Sequence, residues 1–127
     1  METLDDYLQS YVEGDIEGAL AVFASDPDVV CIGTGPGEIL IGPDEIRRQI
    51  ECDFTGFETA SYEWKWHSMS ARGNIAWVAS ELVLRTRLRK GGKEWNPSLR
   101  FTAVMERRED KWLIVQSHAS LASTEPY

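Results

Sequence analysis

"LRFTAVMERREDKWLIVQSHAS", Leu99 to Ser120, is two runs of alternating residues on either side of a short polar break. Alternation with period two marks a strand with one face buried, and Arg108-Glu109-Asp110 reads as the turn between two such strands. Before the turn, Leu99, Phe101, Ala103 and Met105 fall on one face, and Arg100, Thr102, Val104 and Glu106 on the other. After it, Leu113, Val115, Ala119 and Leu121 share a face with Ser117, opposite Trp112, Ile114, Gln116, His118 and Ser120. The stretch predicts an antiparallel hairpin. It also poses a question, because a histidine between serines ends an apolar strand.

Working outward, the period of two extends back to Glu58 and predicts strands over 59–71, 75–89, 94–107 and 111–121. Their turns are "RGN", "KGGK" and "RED". In the second of these strands Ala76, Val78, Ser80, Leu82 and Leu84 oppose Trp77, Ala79, Glu81, Val83 and Arg85. One face is small and apolar throughout, which suits packing against helices. The other mixes Trp, Val and Ile with charges, the composition of a subunit interface rather than of a solvated surface.

The first half is helical. Thr3 as N-cap with Asp6 three residues on starts a helix carrying Leu4, Leu8, Tyr11 and Val12, with Tyr7 alongside. Gly14 stops it, and Asp15 caps a second helix bearing Ile16, Ala19, Leu20 and Phe23. "VVCIG" and "EILIG" are short strands joined by "TGPG", read as a hairpin turn because a strand, not a helix, follows the glycines. Pro43 opens a third helix with Ile46, Ile50, Phe54 and Phe57 as its buried stripe. The order is three helices interrupted by a small hairpin, then an antiparallel meander: α+β, with helices on one face of a curved sheet.

The chain has 127 residues, 43% of them hydrophobic, enough for one domain with a substantial core. Thirteen Lys and Arg against 21 Asp and Glu give a net charge of −8, which argues against nucleic acid and anionic membrane as partners. Cys31 and Cys52 have no metal spacing, the start carries no signal-peptide pattern, and no apolar run is long enough to span a membrane. A cytoplasmic protein without metal or cofactor is expected.

From "YLQSYVEGDIEGALAVFASD" through "LIGPDEIRRQI" to the closing hairpin, the chain resembles the SnoaL-like branch of the nuclear-transport-factor-2-like superfamily. The most specific part is R-x-T-x-V followed by W-x-x-V-x-x-H-x-S, on Arg100, Thr102, Val104, Trp112, Val115, His118 and Ser120. That ending is also similar to the association domain of calcium/calmodulin-dependent kinase II. The resemblance implies a cone of helices over a strongly bent sheet, a pocket between them, and dimerisation through the sheet's outer face. It covers isomerases and cyclases as well as non-enzymes, so it implies fold more than chemistry.

Carried over residue by residue, the resemblance places Tyr7 where steroid isomerases keep an oxyanion tyrosine. Cys31 stands where they keep the base, and Thr102 or Ala103 where they keep a second acid. The positions of the kinase domain's pocket arginines read as Leu82 (Glu81 if the register slips), Ala103 and Ala119. The resulting expectation is a neutral, apolar pocket lined by Tyr7, Tyr11, Cys31, Phe54, Trp64, Val78, Leu82, Phe101, Ala103, Val115 and Ala119. A dimer interface is expected on Trp77, Glu81, Val83, Arg100, Thr102, Val104, Trp112, Ile114, Gln116 and His118.

His118 is either a general base beside Ser117 or Ser120, or an interface residue bonded to Glu81 or Thr102; its phase favours the interface. Tyr7 is a donor to a ligand or a packed tyrosine, and Cys31 reads as a buried, inert thiol. Glu81 is a base only if its strand slips by one residue. Trp64, Trp66 and Trp95 line a pocket mouth or fill core, and His67 is a surface residue. The function expected is a dimeric domain binding a small, largely hydrophobic molecule, with no reaction assigned. The alternatives are an isomerase, cyclase or hydrolase using Tyr7, and an assembly module.

Overall fold

Gly14 takes the left-handed conformation (φ 69°) and its N–H returns to the carbonyls of Ser10 and Tyr11, ending α1 (Glu2–Glu13). Asp15 then accepts from the Gly18 N–H at 2.9 Å and starts α2 (Ile16–Ala21). Pro43 occupies the first turn of α3 (Pro43–Gly56), with Asp44 and Glu45 beside it at the positive end. The computed structural model describes residues 1–122. Its strands are β1 (Val30–Ile32), β2 (Ile39–Ile41), β3 (Phe57–Arg72), β4 (Ile75–Leu88), β5 (Glu94–Trp95), β6 (Ser98–Arg108) and β7 (Lys111–Leu121).

The sheet runs β2-β1-β7-β6-β4-β3, with β5 as a short addition to β4. All pairings are antiparallel except β1 with β7, which brings Cys31 beside Ser117 and Ile32 beside His118. The helices cover one face. Leu4, Ala19, Ile46 and Ile50 from the helices meet Ala76, Val78, Ala103, Met105 and Ile114 from the sheet in one buried cluster. The fold class read from the period change is therefore the fold observed.

Four local expectations are corrected. Thr3 does not cap α1: the helix begins at Glu2, and the Thr3 hydroxyl instead donates to the Trp112 carbonyl at 2.7 Å, tying α1 to β7. The strand expected over 94–107 is broken at Asn96-Pro97, because proline lacks the N–H a ladder needs. Phe57, placed on α3's stripe, opens β3 instead.

The fourth lies in β7. Val104 pairs with Gln116 but Met105 pairs with Ile114, so Val115 is the extra residue of a bulge and the alternation changes phase there. Ile114 consequently points into the core, with 0% exposure, and Trp112 packs against that core too. Neither belongs to the outer face on which strict alternation put them.

Candidate functional site

The residues that build the site come from the helices first. On α3, Ile46, Ile50 and Asp53 recur at helical spacing, so the carboxylate of Asp53 lies on the stripe that faces inward. On α1, Tyr7 and Tyr11 are one turn apart and stack edge-to-face, 5.3 Å between ring centres. The Tyr11 hydroxyl donates to Asp53 Oδ2 at 2.7 Å, and the Gln49 amide donates to Asp53 Oδ1 at 3.0 Å. Two neutral donors thus hold the carboxylate in place.

These groups open onto a cavity of about 150 Å³ between helices and sheet. Tyr7, Tyr11, Cys31, Trp64, Leu82, Phe101 and Ala119, all expected at a pocket, lie in its wall. Phe54, Val78, Ala103 and Val115 do not. Phe54 stacks against the back of Tyr11 (4.9 Å), Val78 and Ala103 are buried in the core, and Val115 sits at the bulge. Among the other wall residues are Glu38, Gln49, Asp53, Phe57 and Trp95.

Asp53 and Glu38 overturn the expectation of a neutral pocket. Asp53 was readable, since an acid at the third position of an apolar helical stripe is a signal in itself. Glu38 was not, because it follows the Gly33–Gly37 turn and gives no periodic cue. Its carboxylate lies over that turn so closely that a Cβ on Gly33 or Gly35 would collide with it.

Burial sets the electrostatics. Desolvation raises the Asp53 carboxyl above its ordinary value, the two hydrogen bonds oppose that, and the charge of Glu38 adds to it. Burial likewise pushes the Tyr7 and Tyr11 hydroxyls well above the usual phenol range, and the Cys31 thiol upward. Cys31 is therefore a thiol and not a nucleophilic thiolate. The arrangement supplies a half-buried carboxylate suited to moving a proton and hydroxyls suited to donating a hydrogen bond.

Asp5 in α1 accepts from Trp64 Nε1 (2.9 Å) and from the Tyr62 hydroxyl (3.1 Å), which fixes the Trp64 ring in the wall. Trp66, by contrast, is 56% exposed. It pairs with Glu81 across the outer face, while Trp95 lines the cavity beside Phe57. His67 is exposed and touches the Trp64 ring edge. A wider groove of about 840 Å³ runs past Met69, Met105 and Trp112 outside this cavity.

The outer face of the sheet carries Trp77, Glu81, Val83, Arg100, Thr102, Val104, Gln116 and His118. His118 is exposed there, between Thr102 of β6 and Ile32 of β1. It is not a cavity residue. Glu81 faces outward opposite Arg100 while Leu82, 2% exposed, faces in, so the strand does not slip and Glu81 is no base for this cavity.

A family model for the SnoaL-like domain matches residues 1–124. The chain belongs to that family. No curated protein matches this SnoaL-like chain. Among solved structures it is similar to a protein from Xanthomonas campestris named for the calcium/calmodulin-dependent kinase II association domain, at 22% identity and TM-score 0.82, over 96% of this chain and 84% of that one. It is similar to a ketosteroid isomerase-like protein from Erwinia carotovora atroseptica at 19% identity and TM-score 0.78, over 96% and 92%. It is also similar to a protein from Novosphingobium aromaticivorans named for scytalone dehydratase, at 16% identity and TM-score 0.84, over 96% and 80%. At such identities these likenesses speak to the shared fold, which is α+β and nuclear-transport-factor-2-like.

Proposed function

We propose that this SnoaL-like chain is a dimeric small-molecule-binding domain whose ligand occupies the cavity between Tyr7, Tyr11, Asp53, Trp64 and Phe101. The observation that carries the reading is the meeting of a satisfied carboxylate with aromatic walls in one cavity. A mostly apolar cavity with a few placed polar groups is the usual form of such sites. Its size limits the ligand: an apolar cavity of ~150 Å³ holds a molecule such as benzene, and this one, about 150 Å³, is of single-ring size. The test uses cyclohexanol as probe and the indole N–H resonances of Trp64 and Trp95 as reporters. Both should shift saturably, and Ala119→Leu, which fills the cavity from β7, should abolish the shift. Equal shifts in both proteins would overturn the reading.

A second reading, a proton-transfer enzyme of the isomerase type, is favoured by one observation. Asp53 is a half-buried carboxyl held by hydrogen bonds, and desolvation raises it above its ordinary value. In this reading Asp53 takes a proton from a carbon next to a carbonyl, and the Tyr7 hydroxyl donates to the oxygen on which charge develops. Exchange of the α-protons of cyclohexanone in D₂O measures it. Asp53→Asn should lower the protein-catalysed rate by about 10²–10⁴-fold; an unchanged rate would sink the assignment.

A further inference from the structure

We infer that the cavity is built for an organic cation of single-ring size, an alkyl- or cycloalkylammonium, rather than for a neutral or anionic molecule. This rests on the cavity reading above and names the ligand's charge.

The first support is an imbalance of charge. Asp53 and Glu38 both line the cavity, and among the described residues that line it none is Lys, Arg or His. Elsewhere the chain pairs its acids readily: Glu17 with Arg47, Asp26 with Arg108, Glu58 with Arg89, Glu63 with Lys65. Among the described residues Asp53 receives only the Tyr11 hydroxyl and the Gln49 amide. Those donors satisfy its hydrogen bonds and leave its charge uncompensated. A half-buried charge without a counter-charge carries part of the cost of desolvation, and a cation entering beside it offsets that cost. An anion would meet two negative groups and no positive one.

The second support is the wall. Tyr7, Tyr11, Phe57, Trp64, Trp95 and Phe101 all face the cavity. Tyr11 stacks on Phe57 at 6.5 Å, and Phe57 meets Trp95 at 5.9 Å, so the rings form a continuous surface. The Trp64 N–H is spent on Asp5, which leaves the ring and not the donor for a ligand. Aromatic surfaces around a desolvated site attract ammonium groups through the ring quadrupole, and they do not attract carboxylates. The net charge of −8 adds a long-range field that draws cations toward the protein.

The site therefore has the parts of an ammonium receptor: a half-buried carboxylate, a second one over the Gly33–Gly37 turn, and aromatic sides. The apolar ring of the ligand lies against Leu82, Phe101 and Ala119, and its nitrogen points toward Asp53.

The experiment compares three probes of one shape and three charges, cyclohexylammonium, cyclohexanol and cyclohexanecarboxylate, by calorimetric titration at neutral pH and low salt. The ammonium should bind about tenfold or more tightly than the alcohol, the size of a desolvated cation–π contribution, and the carboxylate weakest. Asp53→Asn should reduce the preference for the ammonium over the alcohol, read as the ratio of the two affinities within each protein. If the alcohol binds as tightly as the ammonium, or Asp53→Asn keeps the preference, this inference fails while the cavity reading stands. If none of the three binds, both fail. Should Asp53→Asn not fold, Glu38→Gln carries the test: a loss of about threefold in ammonium affinity is expected, and an unchanged preference overturns the proposal.

Discussion

Asp53, half-buried, is hydrogen-bonded by Tyr11 from α1 and Gln49 from its own helix, and shares the cavity with Tyr7, Cys31 and Glu38. Burial dominates and raises its pKa above 3.8, the ordinary value. A raised carboxyl means that the folded chain binds this proton more tightly than the unfolded chain does. Below 3.8 both states are protonated and the group costs nothing; as pH rises through the folded-state pKa the folded form must ionise a buried acid, and stability is lost. Asp53→Asn removes that loss while Tyr11 keeps an acceptor. The variant's melting temperature, compared with that of the wild type, should therefore rise progressively above pH 3.8 and level off once the folded-state carboxyl is fully ionised. A difference independent of pH would show that Asp53 titrates as it does in the unfolded chain.

The elements were legible where their signals are local. Gly14, Asp15 and Pro43 act within one turn of the chain, and each acts in the structure as the sequence suggests. The turn at Glu109 and Asp110 likewise appears as two consecutive residues with positive φ, 51° and 66°, at the tip of a hairpin. What was not legible depends on distant partners. The Val115 bulge has no residue signature, because its cause is the register against Val104 and Met105, and one extra residue inverts everything before it. Hence Trp112 and Ile114 were put on the wrong face while Gln116 and His118 were not. The parallel pairing of β1 with β7 joins segments some eighty residues apart (~86 between Cys31 and Ser117) and fixes Cys31 in the cavity wall. The same limit applies to the site. Tyr7 and Asp53 each carry a local cue, but their meeting through Tyr11 exists only after α1 and α3 pack.

At the scale of the whole molecule, the helix-covered face is closed and the outer face is not. Trp66 (56% exposed) and Trp77 (39%) stand toward one side of that face, and Ile39 (61%) and Ile41 (53%) on the edge strand at the other. Between them lie Val104 and Thr102 of β6 and Gln116 and His118 of β7. Apolar residues spread across a sheet in this way favour burial against a matching surface. In the proposed dimer a two-fold axis through the sheet would supply that surface from an identical chain, setting each patch against its own copy. In that proposed dimer the polar middle, with Thr102, Gln116 and His118, would provide hydrogen bonds across the interface, which would give the histidine among serines at the end of β7 a role. Val104 lies between Trp77 and Gln116 with its side chain away from the core, so a charge there spares the monomer's own packing. Val104→Asp should sediment as a folded monomer, with an unchanged far-ultraviolet spectrum, where the wild type sediments as a dimer at micromolar concentration. His118→Ala should weaken the dimer with less effect on ligand binding, because His118 is outside the cavity. A monomeric wild type, or a Val104→Asp protein that remains dimeric, would remove the outer face from consideration as the subunit contact.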